Sequence, residues 1–159
     1  MIREILGIAE GILQDLHNDH SEVDTLLGRI MDSEDGGERA RLFSEMTNQL
    51  LPHLEAEQEI LYRRLEAGKE EESRAFGHEG TSEHRMVEQQ VDKMIGMGNT
   101  MGDQWTAELK VLQSLIEHHV GEEESTGFSC ARDEFDKEQL EAMSREFQTR
   151  KAQIGTKVA

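Results

Sequence analysis

Six residues carry the chemistry this sequence can do: His20, the pair His53 and Glu57, His84, and the pair His119 and Glu123. Imidazole nitrogens and carboxylate oxygens together make a mixed donor set for divalent transition metals. The last pair shows why the spacing matters. Trp105, Leu109, Leu112, Ile116, His119 and Glu123 step by four and three, so they share one helix face. That stripe is apolar until it ends in an imidazole and a carboxylate. Burying either group without a partner costs several kcal/mol or moves its pKa, and one shared metal ion relieves both.

The other candidates lie on similar stripes. Ile2, Leu6, Ala9, Leu13, Leu16, His20, Val23, Leu27 and Ile30 predict a helix over about residues 2–31. Phe43, Met46, Leu50, His53, Glu57 and Ile60 predict a second over about 38–65, with a kink or widening at Pro52, which lacks a backbone donor. His84, Val87, Val91 and Met94 mark the face of a third, and residues 103–124 form the fourth. A histidine followed four residues later by Glu is weak evidence alone, because four of the seven histidines have it. The stronger signal is one histidine on each of four inward seams. With about two in seven positions facing inward, chance gives that arrangement on the order of one time in a hundred.

Turns separate these helices. Asp32 to Gly37 closes the first, residues 66–80 with three glycines read as a connection, and Gly96 to Asp103 make the next turn. Residues 125–133 read as a loop. Asp136 with Gln139 resembles a capping box, and Leu140, Met143 and Phe147 predict a shorter fifth helix outside the bundle. Four long helices joined by turns imply an all-α, antiparallel up-down-up-down four-helix bundle with an extra C-terminal helix.

Composition agrees. Aromatics are 4 %, Met occurs 8 times and Pro once, a profile of helices packed on aliphatic side chains. Acidic residues outnumber basic ones 34 to 17, and a formal charge of −17 repels phosphate backbones and anionic lipids. Neither nucleic acid nor membrane is therefore an expected partner. The opening Met-Ile-Arg-Glu has no signal-peptide apolar region, and the single Cys130 forms no internal disulfide, so a cytoplasmic location is expected.

Four imidazoles and two carboxylates exceed the needs of one tetrahedral zinc. They suit two ions about 3.5–4 Å apart with bridging carboxylates and open positions for small ligands. The donors suit iron and tolerate manganese or zinc. The Glu-x-x-His signature of ferritin-like centres is absent, as is His-Glu-x-x-His.

The ordered set His, His-xxx-Glu, His, His-xxx-Glu resembles the hemerythrin-like, or HHE cation-binding, family. The words that carry the likeness are Asp19-His20-Ser21-Glu22-Val23, His53-Leu54-Glu55-Ala56-Glu57, Glu83-His84-Arg85 and His119-Val120-Gly121-Glu122-Glu123, within about residues 10–125. The resemblance implies a four-helix bundle over residues 1–125, with residues 126–159 a loop and helix packed on it. It also implies a non-haem centre of two iron ions with an oxo or hydroxo bridge, binding dioxygen, peroxide or nitric oxide. Whether such a centre carries, senses or turns over its ligand is left open by the resemblance.

One departure bears on that choice. Oxygen-carrying hemerythrins have His-xxx-His in the third helix, whereas His84 has Gly80 four residues before it. The missing imidazole argues against reversible oxygen carriage. Gln58 follows Glu57, where many relatives have a second Glu, which argues against a carboxylate-rich iron sensor. A redox-inert zinc or iron buffer, or a sensor presenting its C-terminal helix to a protein partner, is the alternative. Among the remaining residues, His17 flanks the first seam, His118 points about 100° away from His119, His78 reads as a loop residue, and Glu83, Glu88 and Glu122 read as solvated.

Overall fold

A computed structural model describes residues 10–158, and among them every regular element is helical. The first helix, α1, spans Ile12–Asp32. Its expected seam residues from Leu13 to Ile30 are buried, while Ile2, Leu6 and Ala9 lie outside the described residues. Gly11 precedes α1 with φ +54°, and a Cβ there would stand 2.2 Å from the Leu140 carbonyl oxygen. Only glycine lets the C-terminal helix approach so closely.

Helix α2 spans Gly36–Glu57, and its Asp35 N-cap carboxylate accepts from the Glu38 N–H at 2.8 Å. The chain passes Pro52 in α-helical conformation. Widening comes later, as a π-helical turn over Gln58–Tyr62, before α3, Arg63–Glu66, ends the rod. The widening thus falls beyond Pro52 rather than at it. Helix α4 spans Glu71–Ile95, starting well before the expected boundary. Gly77 and Gly80 do not break it; both are buried, and a Cβ would lie 2.8 Å from Glu66 Cγ at Gly77 and against the Tyr62 ring at Gly80. The connection before α4 is held by the Glu134 carboxylate, which accepts from the Lys69 and Glu70 N–H groups.

Helix α5 spans Asp103–Glu122 and continues through a second π-helical turn, Glu123–Gly127, into α6, Phe128–Glu134. The loop expected over residues 125–133 is thus helical. Phe128, Cys130 and Ala131 are buried against a core that rewards continuing the helix, and Gly127 serves a close approach to Phe76 rather than a turn. Helix α7, Lys137–Val158, opens with the expected capping box: the Asp136 N–H donates to Gln139 Oε1 and the Gln139 N–H to Asp136 Oδ1. It is longer than expected and packs along α1 and α2, burying Leu140, Met143, Phe147 and Ile154.

Neighbouring helices run in opposite directions where contacts fix their register. Arg39 meets Met31 while His53 meets Asp19, and Lys93 meets Glu108 while Glu83 meets His119. At one end the buried Arg39 guanidinium donates to the Ser33 and Thr100 carbonyls and to Thr106 Oγ1, tying two turns together.

The apolar interior falls into two clusters. One holds Val23, Leu27, Leu50, Val87, Val91, Trp105 and Ile116; the other holds Leu13, Leu16, Leu61, Phe76, Phe128 and Phe147. Along each bundle helix the six candidate ligands fall between residues of the first cluster and residues of the second. A polar layer thus divides the core. No helix among the described residues is long and apolar enough to cross a membrane.

Candidate metal centre

The polar layer brings all six sequence-predicted residues together. Glu57, His84, His119 and Glu123 form one group of potential ligands and His20, His53 and Glu57 another, the chosen atoms of each lying within 4.8 Å of one another. Glu57 belongs to both. Its Oε1 is 3.0 Å from His84 Nε2 and 3.6 Å from His53 Nε2. Glu123 spans the groups likewise, with Oε1 3.1 Å from His20 Nε2 and Oε2 3.7 Å from His119 Nε2. Every one of the six is buried, from 0 % exposed at Glu57, His84 and Glu123 to 8 % at His20.

The rings share one orientation. Each histidine turns Nε2 inward and uses Nδ1 to hold a partner outside the cluster. His20 Nδ1 meets Glu124 at 2.7 Å, His53 Nδ1 meets Asp19 at 2.8 Å, and His119 Nδ1 meets Glu83 at 2.8 Å. His84 Nδ1 lies 3.0 Å from the Gln58 amide, whose carbonyl end accepts the ring N–H once the amide is turned. A metal-binding imidazole needs this arrangement, because an outer acceptor fixes the proton on Nδ1 and frees Nε2 as a ligand.

Without a cation the inner atoms are poorly served. His20 Nε2, both Glu57 oxygens and Glu123 Oε1 are buried and make no hydrogen bond within the protein. His84 Nε2 and His119 Nε2 stand 2.9 Å apart, a spacing at which two ring nitrogens share at most one proton. Leaving such groups unsatisfied costs about 1–3 kcal/mol each. The donors fit metal ions: nitrogen and oxygen only, acceptors converging, protons displaced outward.

Titration of these groups in the bare protein reflects crowding. Burial and the Glu123 charge push the Glu57 carboxyl well up. Burial also pushes Glu123 up, but the close His20 imidazole and the nearby His119 outweigh it, so Glu123 keeps its charge. Burial likewise pulls His20 down, yet the Glu123 carboxylate 3.1 Å from Nε2 and the Glu124 carboxylate on Nδ1 raise it to about 9. His84 falls well below its ordinary value through burial and repulsion from His119, and His53 falls mainly through burial. Protons in this layer thus stand where cations would otherwise balance the carboxylates.

Tyr62 is a seventh group that the sequence spacing does not mark. Its hydroxyl contacts Glu123 Oε2 and lies 3.0 Å from His119 Nε2 and 3.3 Å from His84 Nε2. In an α-helix Tyr62, five residues after Glu57, would point away from the Glu57 face. The π-helical turn, with its i to i+5 repeat, brings it back. Gly80 makes the room: a Cβ there would lie 2.7 Å from Tyr62 Cε2. The phenol therefore fills the space beside His84 where a third-helix imidazole at position 80 would begin. Burial and the charges of Glu123 and Glu57 push its hydroxyl pKa well up, so it is a proton donor here.

The outer partners correct other expectations. Glu83 is not a solvated residue; one oxygen holds His119 and the other holds the exposed His118 at 3.0 Å. His17 reaches Glu124 at 2.8 Å and so stands behind His20. His78 is helical, within α4, rather than in a loop.

A bundle whose histidines and carboxylates converge in this way defines a cation-binding helical domain. The sequence profile of the Hemerythrin HHE cation binding domain matches residues 11–131, and the chain belongs to that family. It is also 29 % identical over 140 residues to a protein of Nostoc sp. (strain PCC 7120) named DNA nickase, covering 86 % of this chain but 38 % of the relative. The chain thus spans well under half the length of that relative. No solved structure matches it.

Proposed function

We propose that this chain holds two iron ions, one on His20 and His53 and the other on His84 and His119, with Glu57 and Glu123 shared between them. The observation that carries the reading is the convergence of four Nε2 atoms on two shared carboxylates while all four Nδ1 atoms are held from outside. Iron bound there would supply open coordination positions and electrons toward dioxygen, peroxide or nitric oxide.

The protein's own contribution is to position, shield and protonate. Buried apolar side chains on both sides of the layer keep bulk water out. A cavity of about 20 Å³ adjoins His20, His53 and His119, walled by Val23, Leu50, Leu54, Val87, Ile116 and Val120. It has room for about one water-sized molecule, which suits a small ligand. Tyr62 holds a proton at its hydroxyl next to Glu123. Six protein donors would leave positions open on two iron ions.

A nucleic-acid substrate fits poorly. A phosphate backbone would have to approach a formal charge of −17 and reach groups at most 8 % exposed. The activity named for the Nostoc protein is therefore not extended to this chain.

Anaerobic iron loading followed by air tests the reading. Air should convert the reduced protein to an oxidised form absorbing in the near ultraviolet, with no return on deoxygenation, and nitric oxide should bind the reduced form. Reversible oxygenation over many cycles would instead make it a carrier. Failure to take up iron, with zinc bound in its place and no near-ultraviolet band, would make it a redox-inert buffer.

A further inference from the structure

The carboxylates behind the four histidines are not equivalent, and the difference comes from the C-terminal helix. Asp19 Oδ2 receives the His53 Nδ1–H at 2.8 Å and also the Lys151 ammonium at 2.8 Å, with Asp19 Oδ1 3.0 Å from the same nitrogen. Glu83, behind His119, is shared with the exposed imidazole of His118, and Glu124, behind His20, with His17. His84 leans on the neutral amide of Gln58. Among these four outer partners, the lysine contact falls on Asp19, and it is delivered by α7.

The placement is built. Lys151 Nζ lies 5.1 Å from the Phe147 ring centre, and Phe147 stands edge-on to His53 with centroids 5.7 Å apart. Phe147 is fully buried, so α7 brings a charge and an apolar cover to one imidazole together. Arg150, next in the chain, donates to Glu59 at 2.6 Å and fixes the helix there. In such surroundings a charge acts more strongly than in water.

A carboxylate that accepts an imidazole N–H gives the ring anionic character and strengthens it as a ligand, favouring the more oxidised ion. An ammonium on the same oxygen draws that density away. We propose that Lys151 is a positioning residue that weakens the pull of Asp19 on His53 and so raises the reduction potential of the iron held by His20 and His53. The inference rests on the two-iron reading above. It adds that the two halves of the centre differ in potential, and that α7 sets the difference.

The test is spectroelectrochemical titration of the iron-loaded full chain, after iron content and helicity are matched to wild type. Lys151→Met keeps the stem over Phe147 and removes the charge; the midpoint potential should fall. Asp19→Asn removes the carboxylate and should move it the opposite way. Lys151→Arg should return it towards wild type. Mere loosening of α7 would shift the Lys151 and Asp19 variants in the same direction. Should Asp19→Asn lose iron, Lys151→Glu replaces it and must lower the potential further than Lys151→Met. Shifts of the same sign in Lys151→Met and Asp19→Asn, a Lys151→Glu shift no larger than that of Lys151→Met, or no shift in Lys151→Met, overturn the proposal while leaving the two-iron reading intact. Absence of any iron couple in the loaded wild-type protein overturns both.

Discussion

The half of the site built on His20 and His53 and the half built on His84 and His119 use the same rings but close them differently. The first is backed by Asp19 with Lys151 and by Glu124 with His17, and α7 lies over it. The second is backed by Glu83 and by the uncharged Gln58, and its inner side is stopped by the Tyr62 hydroxyl. A phenol held in place of an imidazole keeps the layer closed to water while supplying a donor instead of an acceptor. The halves are joined through carboxylates, since Glu57 and Glu123 each reach rings of both. Two ions could therefore be bound as a unit and yet behave unequally.

Stripping the metal abolishes the distinction and should have the largest effect. A site at a thousandfold excess of metal over Kd contributes about 4 kcal/mol, and at about 2–4 °C per kcal/mol chelation should lower the Tm by about 8–16 °C. A melting curve unchanged after verified metal removal would mean that the layer satisfies itself with protons. Next in size is the contrast between shared and unshared ligands. Glu57→Ala should lose both ions, whereas His84→Ala should lose one and keep the ion on His20 and His53; metal content of the purified variants reads this directly. Equal losses in the two variants would mean the halves are not separable.

Gly80→His tests the Tyr62 side. Position 80 is helical and buried, but the new Cβ would meet the phenol ring, so the substitution alone does not restore an imidazole pair. It should destabilise by about 1–3 kcal/mol, measured by denaturant unfolding, and adding Tyr62→Ala should recover part of that loss. Smallest is Glu83→Gln. It should weaken metal binding about 10–100-fold in a chelator competition, with little change in the metal-free melting temperature. A larger loss of stability than of affinity would make Glu83 a packing residue.

What the sequence made legible follows from what an α-helical period can show. His20, His53, His84 and His119 interrupt apolar seams in phase, and Glu57 and Glu123 follow one turn later, so the inner layer could be read before any coordinates. The Asp136–Gln139 cap was readable for the same local reason. Tyr62 was not, because its inward position depends on a π-helical turn that nothing in Gln58–Tyr62 announces. The outer carboxylates escaped for another reason. Asp19 and Glu83 each precede a ligand, His20 and His84, yet neighbours in a helix point about 100° apart. Each therefore serves the imidazole of an adjacent helix, His53 and His119. Glycine misled at positions 77 and 80, where it reads as a breaker but meets a close packing neighbour.

The central claim is a two-ion centre built from His20, His53, Glu57, His84, His119 and Glu123. Anaerobic titration of metal-free protein with ferrous iron tests it most directly. The account predicts a break at two equivalents per chain, and none at these residues in a protein lacking Glu57. A break at one equivalent, or saturation that persists without Glu57, would contradict it.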